Sequence, residues 1–300
     1  MLGLLRSTLS AIRSPGHHAR IDFNESSLEY ANTRVYRGFP LASLGTGGFH
    51  ISTAGGFENF RINNNWMQPV DFADGSFWAI SCANTQQRWA RILRRDYAKG
   101  KEPYRDIKAI ERVHFKGDIP HFEQTFCGNI PVEINVRGFS PLIPQDERNS
   151  TLPAAFFTME FTNLSAHSLD LAFLFSWQNI LGLGGRGCGG MPKNRFGVPK
   201  LIPAEKLKNV KPNEQYPFAE NNNVGIRFES KDVWGQNNSR QSTIGTYLLQ
   251  TQQIDGWDIQ INQNWNPNDV RAPMIKDFSS SGKIKETYPN DSATSAAAIC

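Results

Sequence analysis

The sequence predicts an all-β fold, a large antiparallel β-sandwich with long loops and few helices. Three segments alternate apolar and polar residues with a period of two, which is the pattern of a strand with one buried face. They span residues 130–138, 154–162 and 169–177. No stretch alternates strands with long helices, so a doubly wound parallel sheet is not expected. Turn formers separate nearly all of the segments, as they do in antiparallel sandwiches.

The second and third of these segments carry the predicted core. Their apolar faces include Phe157, Met159, Phe161, Leu171, Phe173 and Phe175, with Leu169 and Trp177 on the same face of the third segment. We expect the first six of these side chains to be largely buried between two sheets, each contributing on the order of 1.5–3 kcal/mol. The link at residues 163–168 has hairpin length and is rich in turn formers. It predicts that the two strands are antiparallel neighbours.

Shorter apolar runs predict further strands at residues 49–53, 76–82, 225–229, 244–251 and 296–300. Residues 87–95 stay ambiguous, because their propensity favours a helix whereas their apolar residues could also alternate across a strand. The segment 182–217 is rich in Gly, Pro and Lys and is expected to be the longest loop. Residues 31–300 are expected to form one domain, preceded at residues 1–30 by an N-terminal arm or short helix.

Composition excludes several classes of protein. Aromatic residues are 11% of the chain, too many for a disordered protein, and a net charge of +4 on 300 residues does not favour nucleic acid. The four cysteines contain no CxxC pair and are too sparse for a disulfide scaffold, so free thiols are expected. No apolar run approaches the ~20 residues that span a bilayer. Residues 1–20 contain no acid, which leaves a mitochondrial presequence open.

Two glycine-rich segments resemble phosphate-binding loops only in part. Residues 182–187 match GxGxxG, but glycines continue to Gly190, so no helix begins where a phosphate would bind. Residues 44–49 lack the Gly-Lys-Ser/Thr ending of a P-loop. We expect a tight turn there instead, with Gly45, Gly47 and Gly48 at positive φ or in a crowded backbone.

No other motif points to an active site. The six histidines lack metal-binding spacing, and no GxSxG elbow supplies a nucleophilic serine. Asp146 and Glu147 are adjacent and point to opposite sides of an extended chain, so they cannot flank one scissile bond. We expect Asp146 to cap a turn. The residues alone therefore predict no catalytic, cofactor-binding or metal-binding side chain.

Five segments share their order and spacing with one known family. They are GFPLASLGTGGF at residues 38–49, GGFENF at 55–60, FSPLIPQDERNSTLP at 139–153, FSWQNILGLGG at 175–185 and SAAAIC at 295–300. Together they resemble the N-terminal domain of glycoside hydrolase family 116, which contains non-lysosomal glucosylceramidases and related β-glucosidases. The sequence departs from that pattern at Thr151, within the Ser-Leu-Pro ending, and at Gln145, where histidine is common.

The resemblance implies a β-sandwich that docks on and stabilises a C-terminal (α/α)6 barrel. In the family, that barrel holds the Glu nucleophile and the Asp acid/base of a retaining glycosidase. Neither catalytic motif occurs in these 300 residues. The chain is therefore expected to be truncated before the barrel and inactive alone. We also expect an exposed apolar patch where the barrel would pack, with Trp66 and Phe72 as candidates.

The implied partners are the barrel and, through it, a β-glucoside or glucosylceramide, with no cofactor and no nucleic acid. The implied location is the cytoplasm, with peripheral contact to the cytosolic face of a membrane left open. The alternative function is a stand-alone carbohydrate- or partner-binding sandwich without enzymatic activity.

Overall fold

The strands and helices are those of a computed structural model, which describes residues 27–28, 38–43, 45–62, 70, 73–95, 104–181, 214–229, 245–290 and 295–300. Of these residues 51% lie in strands and 7% in helices, so the predicted all-β class is confirmed. In chain order the strands are β1 (Ser27–Leu28), β2 (Phe39–Ser43), β3 (Gly47–Ile51), β4 (Phe57–Arg61), β5 (Phe77–Ala83), β6 (Arg88–Ile92), β7 (Lys108–Ala109), β8 (Arg112–Asp118), β9 (His121–Cys127), β10 (Val132–Phe139), β11 (Phe156–Asn163), β12 (Asp170–Gln178), β13 (Glu214–Glu220), β14 (Asn223–Glu229), β15 (Thr246–Gln252), β16 (Ile261–Trp265) and β17 (Ala296–Ile299).

Two helices occur in the described ranges, α1 (Glu147–Ser150) and α2 (Pro273–Ser281). Helix α2 begins with proline at its first position, where the missing N–H costs nothing. It ends at Gly282, which has φ of 72° and donates its N–H to the carbonyl of Phe278 at 2.8 Å. None of the described helices is long and apolar enough to cross a membrane.

Two large sheets form the sandwich. The five-stranded sheet has the spatial order β1-β8-β9-β10-β11, and the six-stranded sheet has the order β16-β17-β12-β5-β6-β7. Pairs among these described strands are antiparallel except β6 with β7. Two three-stranded sheets, β2-β3-β4 and β13-β14-β15, complete the described strands.

The ambiguous segment 87–95 contains strand β6. Pro217, which was expected in the long loop, lies in strand β13.

The core has two layers on either side of the six-stranded sheet. Trp78 and Ile80 of β5 belong to the cluster that packs towards the five-stranded sheet. Phe77 of β5 and Leu174 of β12 belong to a second cluster, which includes Phe278 of α2. Both faces of β5 are thus covered, and all seven of its residues are buried. This explains why its sequence is a continuous run of apolar and small residues rather than an alternation.

The predicted pairing of residues 154–162 with 169–177 is wrong. Strand β11 pairs with β10 at the edge of the five-stranded sheet, whereas β12 pairs with β5 and β17 in the other sheet. The short link between them therefore crosses from one sheet to the other. Phe161 and Phe173 face each other across the interior, with ring centroids 5.7 Å apart.

The predicted core residues of these two strands pack against the main cluster but are only partly buried. Strand β11 is the edge strand of its sheet, so its inward side chains are less covered than those of central strands. This reason does not apply to the three residues of β12, which is a central strand. On the described strands, the fully buried aromatic residues are instead Phe57, Phe60, Trp78, Phe126, Phe228 and Trp265. Phe57 stacks on Phe175 at 5.5 Å and meets Trp78 edge-on at 4.7 Å.

Candidate functional site

The carboxylates of the described residues lie mostly at the surface. Glu58 is the one that is buried, with 4% of its surface exposed. A hydrogen bond from the Asn135 amide and the positive charge of Arg137 hold the pKa of Glu123 below its usual value. The backbone N–H of Asn149 lowers the pKa of Asp146. Both shifts run opposite to the raised pKa that a glycosidase general acid needs.

The glycine segment at residues 44–49 forms the turn between β2 and β3. Gly45 and Gly47 have φ of 76° and 94°, as predicted, and Ser43 pairs with Gly47. Gly48 lies within β3 opposite Ala42 and has no positive φ. This segment is therefore a β-hairpin. The other glycine motif, residues 182–187, lies outside the described residues.

Histidine, cysteine and acidic side chains form no group of three that could hold a metal ion within the described ranges. His50, on β3, lies 3.1 Å from the amide nitrogen of Asn59 through its Nε2 atom. Burial, together with the charge of Arg61, lowers the pKa of His50, so its ring is held neutral at physiological pH. Because the His50 ring is neutral and is hydrogen-bonded to the amide of Asn59, we assign it a structural role.

Residues 140–155, between β10 and β11, form an ordered loop that we call the proline loop. The hydroxyl of Ser150 accepts a hydrogen bond from the N–H of Ile143 at 2.8 Å and donates to its carbonyl at 3.0 Å. Asp146 caps helix α1 by accepting from the N–H of Asn149 at 3.0 Å, which confirms its predicted capping role. Thr46 of the β2–β3 turn donates to the carbonyl of Thr151 at 3.4 Å. These bonds fix the loop to its own helix and to the glycine hairpin.

The proline loop holds large apolar side chains in water. Leu142, Ile143 and Leu152 are 42%, 47% and 46% exposed, and Ile119, on the adjacent β8–β9 turn, is 65% exposed. The three residues of the loop line a groove of about 380 Å³, which we call the apolar groove. Its lining residues are Pro120, His121, Phe139, Pro141, Leu142, Ile143, Asn149 and Leu152. A cluster of exposed apolar side chains of this kind is typical of an interaction surface.

The expected patch residues Trp66 and Phe72 lie outside the described residues. The apolar groove was not predicted, although the sequence contains a pattern that indicates it. Between Pro141 and Pro153 three large apolar residues lie in a segment that has neither a strand nor a helix pattern. Such residues outside any amphipathic element have no predicted core to enter, and the structure leaves them exposed.

Comparison with known proteins identifies the family. A family described as beta-glucosidase 2, glycosyl-hydrolase family 116 N-term, matches residues 38–300. No curated protein matches the chain. The family match begins at the glycine hairpin and includes the proline loop, the six-stranded sheet and all strands of the five-stranded sheet except β1. The chain therefore belongs to the family of N-terminal domains of glycosyl-hydrolase family 116 β-glucosidases.

Proposed function

We propose that this sandwich docks on a catalytic (α/α)6 barrel of the same protein and stabilises it, in a retaining β-glucosidase or glucosylceramidase. Family membership supports the existence of that barrel, because the family consists of N-terminal domains of such enzymes. In this proposal residues 31–300 are the docking domain and residues 1–30 are an arm, whose strand β1 pairs with β8 at the edge of the five-stranded sheet. The substrate, a β-glucoside or glucosylceramide, is bound by the barrel.

The observation that carries the proposal is the apolar groove on the proline loop. Ordering a loop costs roughly 1–2 kcal/mol per residue in backbone entropy. A loop that is fixed by its own hydrogen bonds, and yet leaves Leu142, Ile143 and Leu152 nearly half exposed, gains little burial in return. Contact with a second domain would supply that burial.

A cytoplasmic location is part of the proposal. Cys82, Cys127 and Cys300 are free thiols, as is usual in a reducing compartment. Peripheral contact with the cytosolic face of a membrane would be tested by flotation of the whole protein with vesicles.

The first experiment reads the coding sequence after codon 300 and expresses the whole protein beside the 300-residue chain. We expect an open frame that encodes a helical domain, hydrolysis of an aryl β-glucoside by the whole protein and none by the chain alone. The physical reason is that glycoside hydrolysis needs a positioned acid and a positioned nucleophile together. A stop codon at position 301 would favour the stand-alone binding sandwich. Activity of the chain alone, lost on changing one of its own carboxylates, would also overturn the proposal.

The second experiment tests the docking surface in the whole protein. The double variant Leu142→Asp/Leu152→Asp places two charges in the apolar groove. Each leucine is about half exposed, so the lost burial is about 1–2 kcal/mol per residue, before the cost of burying a charge. We expect faster thermal loss of activity and proteolytic separation of the two domains. Leu164→Asp is the matched control, because Leu164 is 59% exposed at the opposite end of β11. Equal behaviour of the two variants would reject this docking surface.

A further inference from the structure

The outer face of the five-stranded sheet carries side chains in rows across four strands. One row, which we call the charged row, consists of Lys116, Glu123, Arg137 and Thr158, which are Cα partners from β8 to β11. Side chains of directly paired residues on one face lie about 5 Å apart. The row is therefore a continuous line of hydrogen-bonding groups on the surface of the sheet.

A second row, the aromatic row, lies two residues along each strand from the charged row and on the same face. It joins His121, Phe139 and Phe156, again as Cα partners. The rings of Phe139 and Phe156 are stacked at 5.3 Å, and His121 lies 5.5 Å from Phe139. The two phenylalanines remain 38% and 49% exposed. This row forms an apolar strip beside the line of polar groups.

The charged row keeps hydrogen-bonding capacity free. Oε1 of Glu123 accepts from the Asn135 amide at 2.6 Å and from two nitrogens of Arg137 at 3.4 Å. Its other oxygen, Oε2, accepts no hydrogen bond from any described residue. In the same part of the chain, the Lys116 ammonium and the Thr158 hydroxyl make no side-chain hydrogen bond. Donors and acceptors thus alternate along a groove of about 260 Å³.

The net charge of the side chains that line this groove is close to zero, because the positive charges of Lys116 and Arg137 are balanced by the negative charges of Asp118 and Glu123. A phosphate, an acidic peptide or a nucleic acid would meet a carboxylate beside each cation, so an anionic ligand is not favoured. Sugars match the face better. Each hydroxyl of a sugar both donates and accepts hydrogen bonds, and a pyranose with equatorial hydroxyls has apolar C–H faces that pack on aromatic rings.

We propose that the charged row and the aromatic row together bind a neutral, extended oligosaccharide chain, with soluble β-1,4-linked glucan as the ligand. Glu123, Arg137 and Lys116 hydrogen-bond the hydroxyls, and Phe139 and Phe156 pack against the C–H faces of the sugar rings. A β-1,4-linked glucan is an extended chain with equatorial hydroxyls, so it can lie along the two rows with its hydroxyls towards the charged row. His121 and Phe139 also line the apolar groove, so the test uses the 300-residue chain, in which the proposed barrel does not cover them.

The test uses the 300-residue chain and isothermal titration with cellohexaose, with an oligogalacturonate of the same length as an anionic comparison. We expect saturable binding of cellohexaose and weaker binding of the galacturonate. Phe156→Ala, on the exposed edge strand, and Glu123→Gln, which keeps the side-chain shape, should each weaken binding about tenfold, as expected for loss of one good contact. Trp257→Ala is the matched control, because Trp257 is 56% exposed in the turn after β15.

Several results would overturn the proposal. They are no binding of cellohexaose, tighter binding of the galacturonate, or an equal loss of binding in the Trp257→Ala control. Unchanged affinity in Phe156→Ala would also overturn it. Far-UV circular dichroism and urea midpoints check that each variant is folded; should Glu123→Gln fail to fold, the affinity of Phe156→Ala decides the outcome.

Discussion

The turn between β2 and β3 offers a matched pair of substitutions, Gly45→Ala and Gly47→Ala. Both glycines have positive φ, 76° and 94°, in a region that residues with a Cβ atom rarely adopt. Their surroundings differ. A Cβ atom on Gly45 would have no heavy atom within 4 Å. A Cβ atom on Gly47 would lie 2.3 Å from the carbonyl oxygen of Arg61, which is a backbone atom of the neighbouring strand β4.

The two substitutions should therefore differ in cost. At Gly45 the cost is conformational strain, about 1–2 kcal/mol, partly offset by the reduced entropy of the unfolded chain. Gly47→Ala carries the same strain and must also displace the backbone of β4, which adds about 1–3 kcal/mol, as overpacking does. We expect Gly47→Ala to lower the free energy of unfolding at least twice as much as Gly45→Ala.

Urea denaturation of the 300-residue chain, followed by tryptophan fluorescence, measures both changes. The comparison uses the midpoint at an unchanged slope m, because a changed slope would indicate a change in the unfolded or native state. Equal midpoints for the two variants would show that the contact of residue 47 with Arg61 has no energetic consequence. Saturable nucleotide binding that is lost in Gly47→Val would show that the hairpin binds phosphate instead.

Three further predictions concern buried and paired side chains. Ser176→Ala should lower the free energy of unfolding by about 1–3 kcal/mol in urea titrations, because it leaves the buried indole N–H of Trp265, 3.2 Å from the Ser176 hydroxyl, without an acceptor. Burial raises the pKa of Cys82 to about 11 and the pKa of Cys300 to about 12. Peptide mapping after iodoacetamide treatment at neutral pH should therefore find both thiols unmodified in the native chain and modified in urea. Rapid modification of either thiol in the native chain would contradict this prediction. The pKa of Glu123 is lowered, so its contribution to stability is present above the unfolded pKa of about 4.3 and is lost as pH falls through the folded pKa. Glu123→Gln should thus be less stable than the wild type at neutral pH, by less than about 1 kcal/mol because the side chain is exposed to solvent, and the difference should disappear in acid; a difference independent of pH would point to another cause.

The alternation of apolar and polar residues along a strand could be predicted from the sequence, because it depends only on neighbouring residues. Strand β10 lies within two residues of its predicted bounds, and its inward positions are buried. Which strands pair was not readable. The link between β11 and β12 is rich in turn formers, and such a link fits a hairpin as well as a crossing between sheets. Pairing depends on contacts between distant parts of the chain, such as β12 with β17, for which local periodicity carries no information.

The family was also determined by the sequence, because short segments such as the glycine hairpin and the proline loop keep their order and spacing. The two candidate surfaces were decided by the tertiary structure. The charged row combines Lys116, Glu123, Arg137 and Thr158, which become neighbours only through the registers of three strand pairs. A shift of one residue in any of those registers would turn one strand's side chains to the other face of the sheet. The apolar groove likewise depends on the packing of the proline loop beside the β8–β9 turn, a contact between segments that the chain separates by an entire β-hairpin.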